Sequence, residues 1–304
     1  MKYIYGIDIG GTFIKIGRFD ENGKLLYKWQ LPVDSSKYAE RMAPYVAGAV
    51  LVDMDQQKLK EEDVVGIGIG CPGTIDENSV IHGADNLQLD RISVVKSMKR
   101  FLPMDIRMEN DANCAALGEY YSGNGRKYDS MAFLTLGTGV GGGIIWNGKL
   151  LKGANRSAAE FGHIKIDDTE TDKCNCGLYG CLEQYCSATG IKRLSGGYSS
   201  VEIFTALQYI EDTLEPLKSA ALETYEAFSE RLAKALAIIA DIIDPDVFII
   251  GGGVSNAGEI VVKRAREKYR ELVYSGARDT KILISGLLND AGIYGAASLI
   301  QYDL

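Results

Sequence analysis

Basic residues are in short supply. Only 33 lysines and arginines stand against 41 acidic residues, for a formal net charge of −8 and a pI near 5.0. A nucleic-acid surface needs a concentrated positive patch to displace counterions, and no basic run or tail supplies one. Long apolar runs are missing too. The greasiest stretch, Leu236 to Ile243, is broken by Asp241, and nothing approaches the ~18 uncharged residues of a membrane span. Lys2 is the only basic residue before Asp8 interrupts the first apolar stretch, so the N-terminus does not read as a secretory signal. Six cysteines among 304 residues do not suggest a secreted disulfide scaffold. The expected protein is cytoplasmic, with a small molecule as partner and neither nucleic acid nor membrane.

Glycine, by contrast, is abundant. The chain holds 35 against six prolines, about 12% where ~7% is usual, with no collagen period. Such usage points to tight turns or to backbone that approaches a ligand closely. Tyr3–Ile9 reads as a strand ending in Gly10-Gly11-Thr12, Phe13–Phe19 as a second, Asn22-Gly23 as a hairpin turn and Leu25–Gln30 as a third strand. About 125 residues later the grammar returns: strand Met131–Leu136, turn Gly137-Thr138-Gly139, strand Val140–Trp146, then Asn147-Gly148. The segments Asn22-Gly-Lys-Leu-Leu26 and Asn147-Gly-Lys-Leu-Leu151 are identical. This internal similarity predicts two related halves.

Elsewhere strands and helices alternate. Val64–Gly70, Ile106–Glu109, Val247–Ile250 and Lys281–Ser285 read as strands; Ala112–Tyr121, Thr224–Ile243, Ala257–Val273 and Gly292–Tyr302 read as helices. The expected fold class is α/β, in two lobes with a cleft between them. The glycines of Val65-Gly-Ile-Gly-Ile-Gly70 allow another backbone to approach that strand.

Three readings compete for the glycine loops. Gly137-Thr-Gly-Val-Gly-Gly142 fits the dinucleotide fingerprint, but that mechanism needs the loop to open a helix, and Ile144-Ile-Trp146 reads as strand. Gly143 to Lys149 fits the start of a Walker A loop, yet Leu150 stands where Ser or Thr should hold magnesium. In the third reading both hairpins offer backbone N–H groups to one phosphate chain, with Asp8 holding magnesium through water. The plainer role for Asp8 is an ion pair with Lys15. Gly251-Gly252-Gly253 follows another buried strand and suits contact with a nucleobase or ribose.

His163, Cys174, Cys176 and Cys181 lie within twenty residues. One imidazole and three thiolates form a closed tetrahedral set suited to structural Zn2+, with no open position for a metal-bound water. Cys71, Cys114 and Cys186 read as core residues. Asn110-Asp111 joins a strand to a helix, where a carboxylate is favoured by the macrodipole; the plainer role for Asp111 is an N-cap. His82 has no evident partner.

Taken together, Asp8-Ile-Gly10-Gly11-Thr12-Phe-Ile-Lys15, Leu136-Gly137-Thr138-Gly139-Val-Gly-Gly-Gly143 and Ile250-Gly251-Gly252-Gly253 resemble the phosphate and adenosine loops of the sugar kinase/actin/Hsp70 superfamily. Within it the chain is similar to the ROK family (repressors, open reading frames and kinases), especially its bacterial glucokinases and N-acetylhexosamine kinases. The likeness implies an actin-like ATPase fold of duplicated ribonuclease H-like domains. It places 1–117 plus 290–304 in an N-terminal lobe and 118–289 in a C-terminal lobe, and implies a homodimer. It further implies ATP and Mg2+ bound through Asp8, Gly10, Gly11, Thr12, Lys15, Gly137, Thr138, Gly139, Gly252 and Gly253. Asp111 is the implied catalytic base, with Gly73, Asn86, Asn110, Glu160, His163 and Glu183 around the sugar. Asn86 also suits a plain turn. Arg156 and Ala159 stand where many family glucokinases have glycine.

The activity so implied is ATP-dependent phosphorylation of a hexose, glucose at O6 first. Kinases of N-acetylmannosamine, N-acetylglucosamine, β-glucosides or fructose are the alternatives within the family. Its sugar-responsive transcriptional regulators carry a helix-turn-helix before the first strand, which here begins at Tyr3.

Overall fold

Strands at the N-terminus follow the expected hairpins. In the computed structural model, which describes residues 1–33, 38–83 and 91–304, β1 (Tyr3–Ile9), β2 (Phe13–Asp20) and β3 (Leu25–Pro32) form an antiparallel meander. Helix α1 (Tyr38–Gln56) leads to β4 (Val64–Cys71), parallel to β1. A small hairpin of β5 (Thr74–Ile75) and β6 (Ile81–His82) follows, then α2 (Val94–Met98), β7 (Asp105–Asn110), parallel to β4, and α3 (Asp111–Tyr121). The sheet order is β3-β2-β1-β4-β7.

The second half repeats this plan. β8 (Met131–Leu136), β9 (Val140–Trp146) and β10 (Lys149–Leu150) form the meander. Helices α4 (Glu183–Cys186), α5 (Ala188–Leu194), α6 (Ser200–Gln208) and α7 (Leu217–Ile243) precede β11 (Val247–Gly251), which is parallel to β8. After α8 (Ile260–Leu272) comes β12 (Lys281–Ile284), and α9 (Ala291–Gln301) ends the chain. The order β10-β9-β8-β11-β12 matches the first sheet position for position. The α/β class and the two related halves are therefore present.

Contacts divide the chain into two compact units. One is Met1–Gly123 with Lys152–Ala158 and Asp290–Leu304; the other is Asn124–Leu151 with Ala159–Asn289. The sequence-derived boundary at 117 falls inside α3, whose continuous hydrogen bonding keeps it whole. The return of 152–158 to the first unit was not anticipated either. In the first unit α9 packs directly on the sheet: a Cβ at Gly68 would lie 1.6 Å from the Ala296 carbonyl oxygen, and one at Gly295 would lie 1.5 Å from that of Cys114. The glycines of β4 thus admit a neighbouring backbone, as their spacing predicts.

Two element bounds differ from expectation for local reasons. Helix α8 starts at Ile260 rather than Ala257, because Gly258 has φ 79°, outside the helical region. Helix α1 gave no clear signal beforehand. It is held by one stripe, with Met42, Val46, Val50 and Met54 buried at the helical repeat. Among the described residues no helix is long and apolar enough to cross a membrane.

Candidate active site

The register of the first sheet brings its chemistry to one edge. Asp8 pairs with Gly70 across β1–β4, and Cys71 pairs with Asn110 across β4–β7, so Asp8, Cys71 and Asn110 lie within one residue of the ends of three adjacent strands. Burial and the charges of Asp111 and Asp8 push the Cys71 thiol up. Both carboxylates therefore act on the same buried sulfur. Asp8 faces Lys15 across the hairpin, with Nζ 3.8 Å from Oδ2. Burial raises its carboxyl above the usual range and Lys15 partly offsets this. Space for it depends on Gly292, where a Cβ would sit 2.6 Å from Asp8 Cγ. The turn is closed by the Gly10 N–H donating to Phe13 O at 3.0 Å, leaving Gly11 and Thr12 exposed at its tip.

The helix start removes the plainer role of Asp111. Asn110, not Asp111, is the N-cap: its Oδ1 accepts from the N–H groups of Ala112 at 2.9 Å and Asn113 at 3.1 Å. Asp111 is the first residue inside α3, and its Oδ1 also accepts from Ala112 N at 2.9 Å. Asn110 Nδ2 donates to Gly73 O at 3.1 Å, which joins the Gly73 turn to the cap. His82, without a partner in the sequence reading, places Nε2 3.1 Å from Asp76 Oδ2. Asn86 lies outside the described residues.

The second unit gathers another set. The turn between β8 and β9 is closed by Gly137 N–H donating to Gly139 O at 2.9 Å. It is clamped from α5, where Ala188 N donates to Gly137 O at 2.8 Å and Thr189 Oγ1 to Thr138 O at 3.0 Å. Because the turn leads into a strand, neither the dinucleotide nor the Walker A mechanism has its required helix. Gly252 (φ 85°) lies against the same place, since a Cβ there would come within 2.6 Å of the Leu136 backbone. The two glycine turns of this unit are therefore adjacent.

His163, Cys174, Cys176 and Cys181 also converge. Their ligand atoms all lie within 4.8 Å of one another, with Cys176 Sγ 3.6 Å from Cys181 Sγ and Cys174 Sγ 3.9 Å from His163 Nδ1. Thiolates about 2.3 Å from zinc in a tetrahedron stand about 3.8 Å apart, so the donor set and spacing fit. Burial and the neighbouring thiols push Cys181 up to about 12; a divalent cation would let the thiolates coexist. The strand-like return at Gly180 (φ 73°) is forced, because a Cβ there would strike Asp167 O at 1.7 Å.

Glu160 is exposed beside this cluster. Glu183, expected beside the sugar, makes contacts within the chain. Its Oε2 accepts from Val140 N at 2.9 Å and its Oε1 lies 3.8 Å from the donor Cys174 Sγ. It is a strut between the 137–139 turn and the cysteine cluster. Sequence reasoning missed this link, and it also missed Glu109 and Lys152, whose pairing spans distant chain segments. Arg156 and Ala159 adopt left-handed φ values of 55° and 65°, a conformation that glycine adopts without strain.

The chain matches the ROK family over residues 4–303. It is 33% identical to a glucokinase of Halalkalibacterium halodurans, over 99% of this chain and 95% of that one. Its identity to an N-acetyl-D-glucosamine kinase of Salmonella typhimurium is 32%, over 97% and 98%. Among solved structures, a ROK family glucokinase from Streptomyces griseus in complex with glucose and AMPPNP superposes with a TM-score of 0.80 at 30% identity, covering 98% of each chain. The fold is thus the actin-like ATPase fold of ROK sugar kinases. With near-complete coverage on both sides, this chain belongs to the ROK family, among its sugar kinases.

Proposed function

We propose that the protein transfers the terminal phosphoryl group of ATP to a hexose, glucose at O6 being the favoured substrate. The observation that carries this reading is the division of labour at α3. Asn110 caps the helix, so the Asp111 carboxylate is not needed for capping and can serve as base at the end of the strands. In the reaction Asp111 accepts the proton of the sugar hydroxyl, the O6–phosphorus bond forms, and the bond from phosphorus to the ADP oxygen breaks. Little else is required of the chain beyond positioning.

Asp8 would hold Mg2+ through water, and the ion would supply charge neutralisation for the phosphates. The turns at Gly10–Thr12, Gly137–Gly139 and Gly252–Gly253, with Lys15, would bind the nucleotide. Gly73, Asn110, Glu160 and His163 would contact the sugar, and Glu183 would reach it while bracing the 137–139 turn. Zn2+ on His163, Cys174, Cys176 and Cys181 would fix the loop that carries Glu160. The setting we assign is the cytoplasm, where ATP is supplied.

A coupled ADP-release assay over hexoses, N-acetylhexosamines and glucosides tests the substrate. Glucose is expected to give the highest kcat/KM; turnover of an N-acetylhexosamine alone would replace glucose by that class. The left-handed Arg156 and Ala159 are the specific reason to keep N-acetylhexosamines in the panel, because side chains there reshape the loop before Glu160. Ligand binding to the native state alone raises stability. Mg-ATP is therefore expected to raise the Tm while NAD leaves it unchanged, and a rise with NAD only would overturn the nucleotide assignment.

A further inference from the structure

Directly before the cap stands Glu109, a carboxylate only 5% exposed. Its Oε1 accepts from Asn110 N at 2.9 Å and from Asn113 Nδ2 at 3.1 Å. Its Oε2 faces Lys152 Nζ at 2.8 Å. A charge buried this deeply requires a partner and filled hydrogen-bonding positions, and Lys152 supplies the opposite charge. Asn113 depends on the same carboxylate. Its Oδ1 is buried and has no hydrogen-bond partner among the described residues, so Glu109 is what holds that amide.

Lys152 is itself fixed in the chain. Its carbonyl accepts from Ala158 N at 3.2 Å, and Gly153 O accepts from Arg156 N at 3.3 Å, which closes 152–158 into a loop. The ammonium end is half-exposed. Within the first unit the Lys152–Glu109 pair ties this loop to the strand end that precedes Asp111. Removing the charge would leave an uncompensated buried carboxylate one residue from the cap.

From this geometry we infer that Lys152 is a positioning residue. Its ammonium holds Glu109 in the orientation that fixes the Asn110 backbone and the Asn113 side chain, and so sets the first turn of α3 and the place of the Asp111 carboxylate. The inference rests on Asp111 being the base of a sugar kinase. Nothing in it requires Lys152 to touch substrate.

The test uses the full chain carrying Lys152→Met, with Lys152→Arg as the conservative variant and Lys149→Met, at an exposed position of β10, as control for lost charge. Misplacement of a catalytic group by about 1 Å can cost a hundredfold in rate. Lys152→Met is therefore expected to lower kcat by about ten- to a hundredfold, with the KM for ATP unchanged. Lys152→Arg should recover most of it, and the control should match the wild type. Hydrogen exchange in the absence of substrates should quicken at the amides of Ala112 and Asn113, which bond to Asn110, in the Met variant alone. Native kcat in Lys152→Met overturns the inference, with or without faster exchange, and so does an equal loss in Lys152→Arg. Should the wild type phosphorylate no sugar of the panel, the kinase reading fails separately, and the exchange measurement by itself decides whether Lys152 anchors the first turn.

Discussion

Asp111→Asn is expected to lower kcat by about 10²–10⁴-fold, the usual contribution of a positioned general base. The substitution keeps the shape of the side chain and leaves an oxygen to accept from Ala112 N, as the carboxylate does at 2.9 Å. It removes only the capacity to take a proton and the negative charge at the helix N-terminus. That charge is typically worth about 0.3–1 kcal/mol, and the cap itself belongs to Asn110. Stability should therefore fall by no more than ~1 kcal/mol. Sugar affinity by direct titration should drop modestly, since one hydrogen bond among several is altered. The complementary variant is Asn110→Ala, which should cost about 1 kcal/mol as a lost cap and weaken sugar binding as well. If Asp111→Asn unfolds the protein while the folded remainder keeps native kcat, the base lies elsewhere. Glu160, exposed beside the cysteine cluster, would be examined next.

The second large effect concerns the metal. Protein prepared without added metal is expected to contain one zinc per chain by elemental analysis. Cys181→Ser should abolish zinc retention, because three remaining ligands no longer close the tetrahedron. Binding energy at a structural site is folding energy, so this variant should show a markedly lower Tm. Cys176 is exposed and Cys181 fully buried. Cys176→Ser thus separates loss of the ligand from loss of packing, and should lose zinc with a smaller effect on Tm. Since Glu183 touches both Cys174 and Val140, the residue that follows the 137–139 turn, zinc loss should weaken ATP binding as well as raise the KM for sugar. Absence of zinc, with all six thiols titrating freely in the folded protein, would remove the metal assignment.

Much of this site is legible in the chain because its parts are local. His163 to Cys181, Gly137 to Gly139 and Asn110-Asp111 each lie in one short stretch, so spacing alone identifies what they suit. The strands and their order of appearance are likewise written in the alternation of apolar runs with Gly and Asn-Gly turns. Identity of sequence, however, did not dictate identity of turn. Asn147 and Gly148 both take positive φ, 48° and 75°, whereas in the matching segment only Gly23 does. Asp20 makes the difference: its carboxylate accepts from Asn22 N and Lys24 N at 2.9 Å each, which competes with the two-residue turn.

Composition and motif by themselves determined the α/β class, the duplicated halves, the glycine turns and the cysteine–histidine donor set. Tertiary structure alone decided that Asn110 rather than Asp111 caps α3, that Glu183 braces Val140, and that Lys152 answers Glu109. The cap follows from β7 running as far as Asn110, and the other two depend on which distant backbone or charge a polar side chain meets once the sheet register is set. Glu183 lies 43 residues from its partner Val140, and no local pattern encodes such a meeting. A buried donor or acceptor takes whichever partner the packing brings within about 3 Å, so residue type announces the need for a partner and only the fold supplies it.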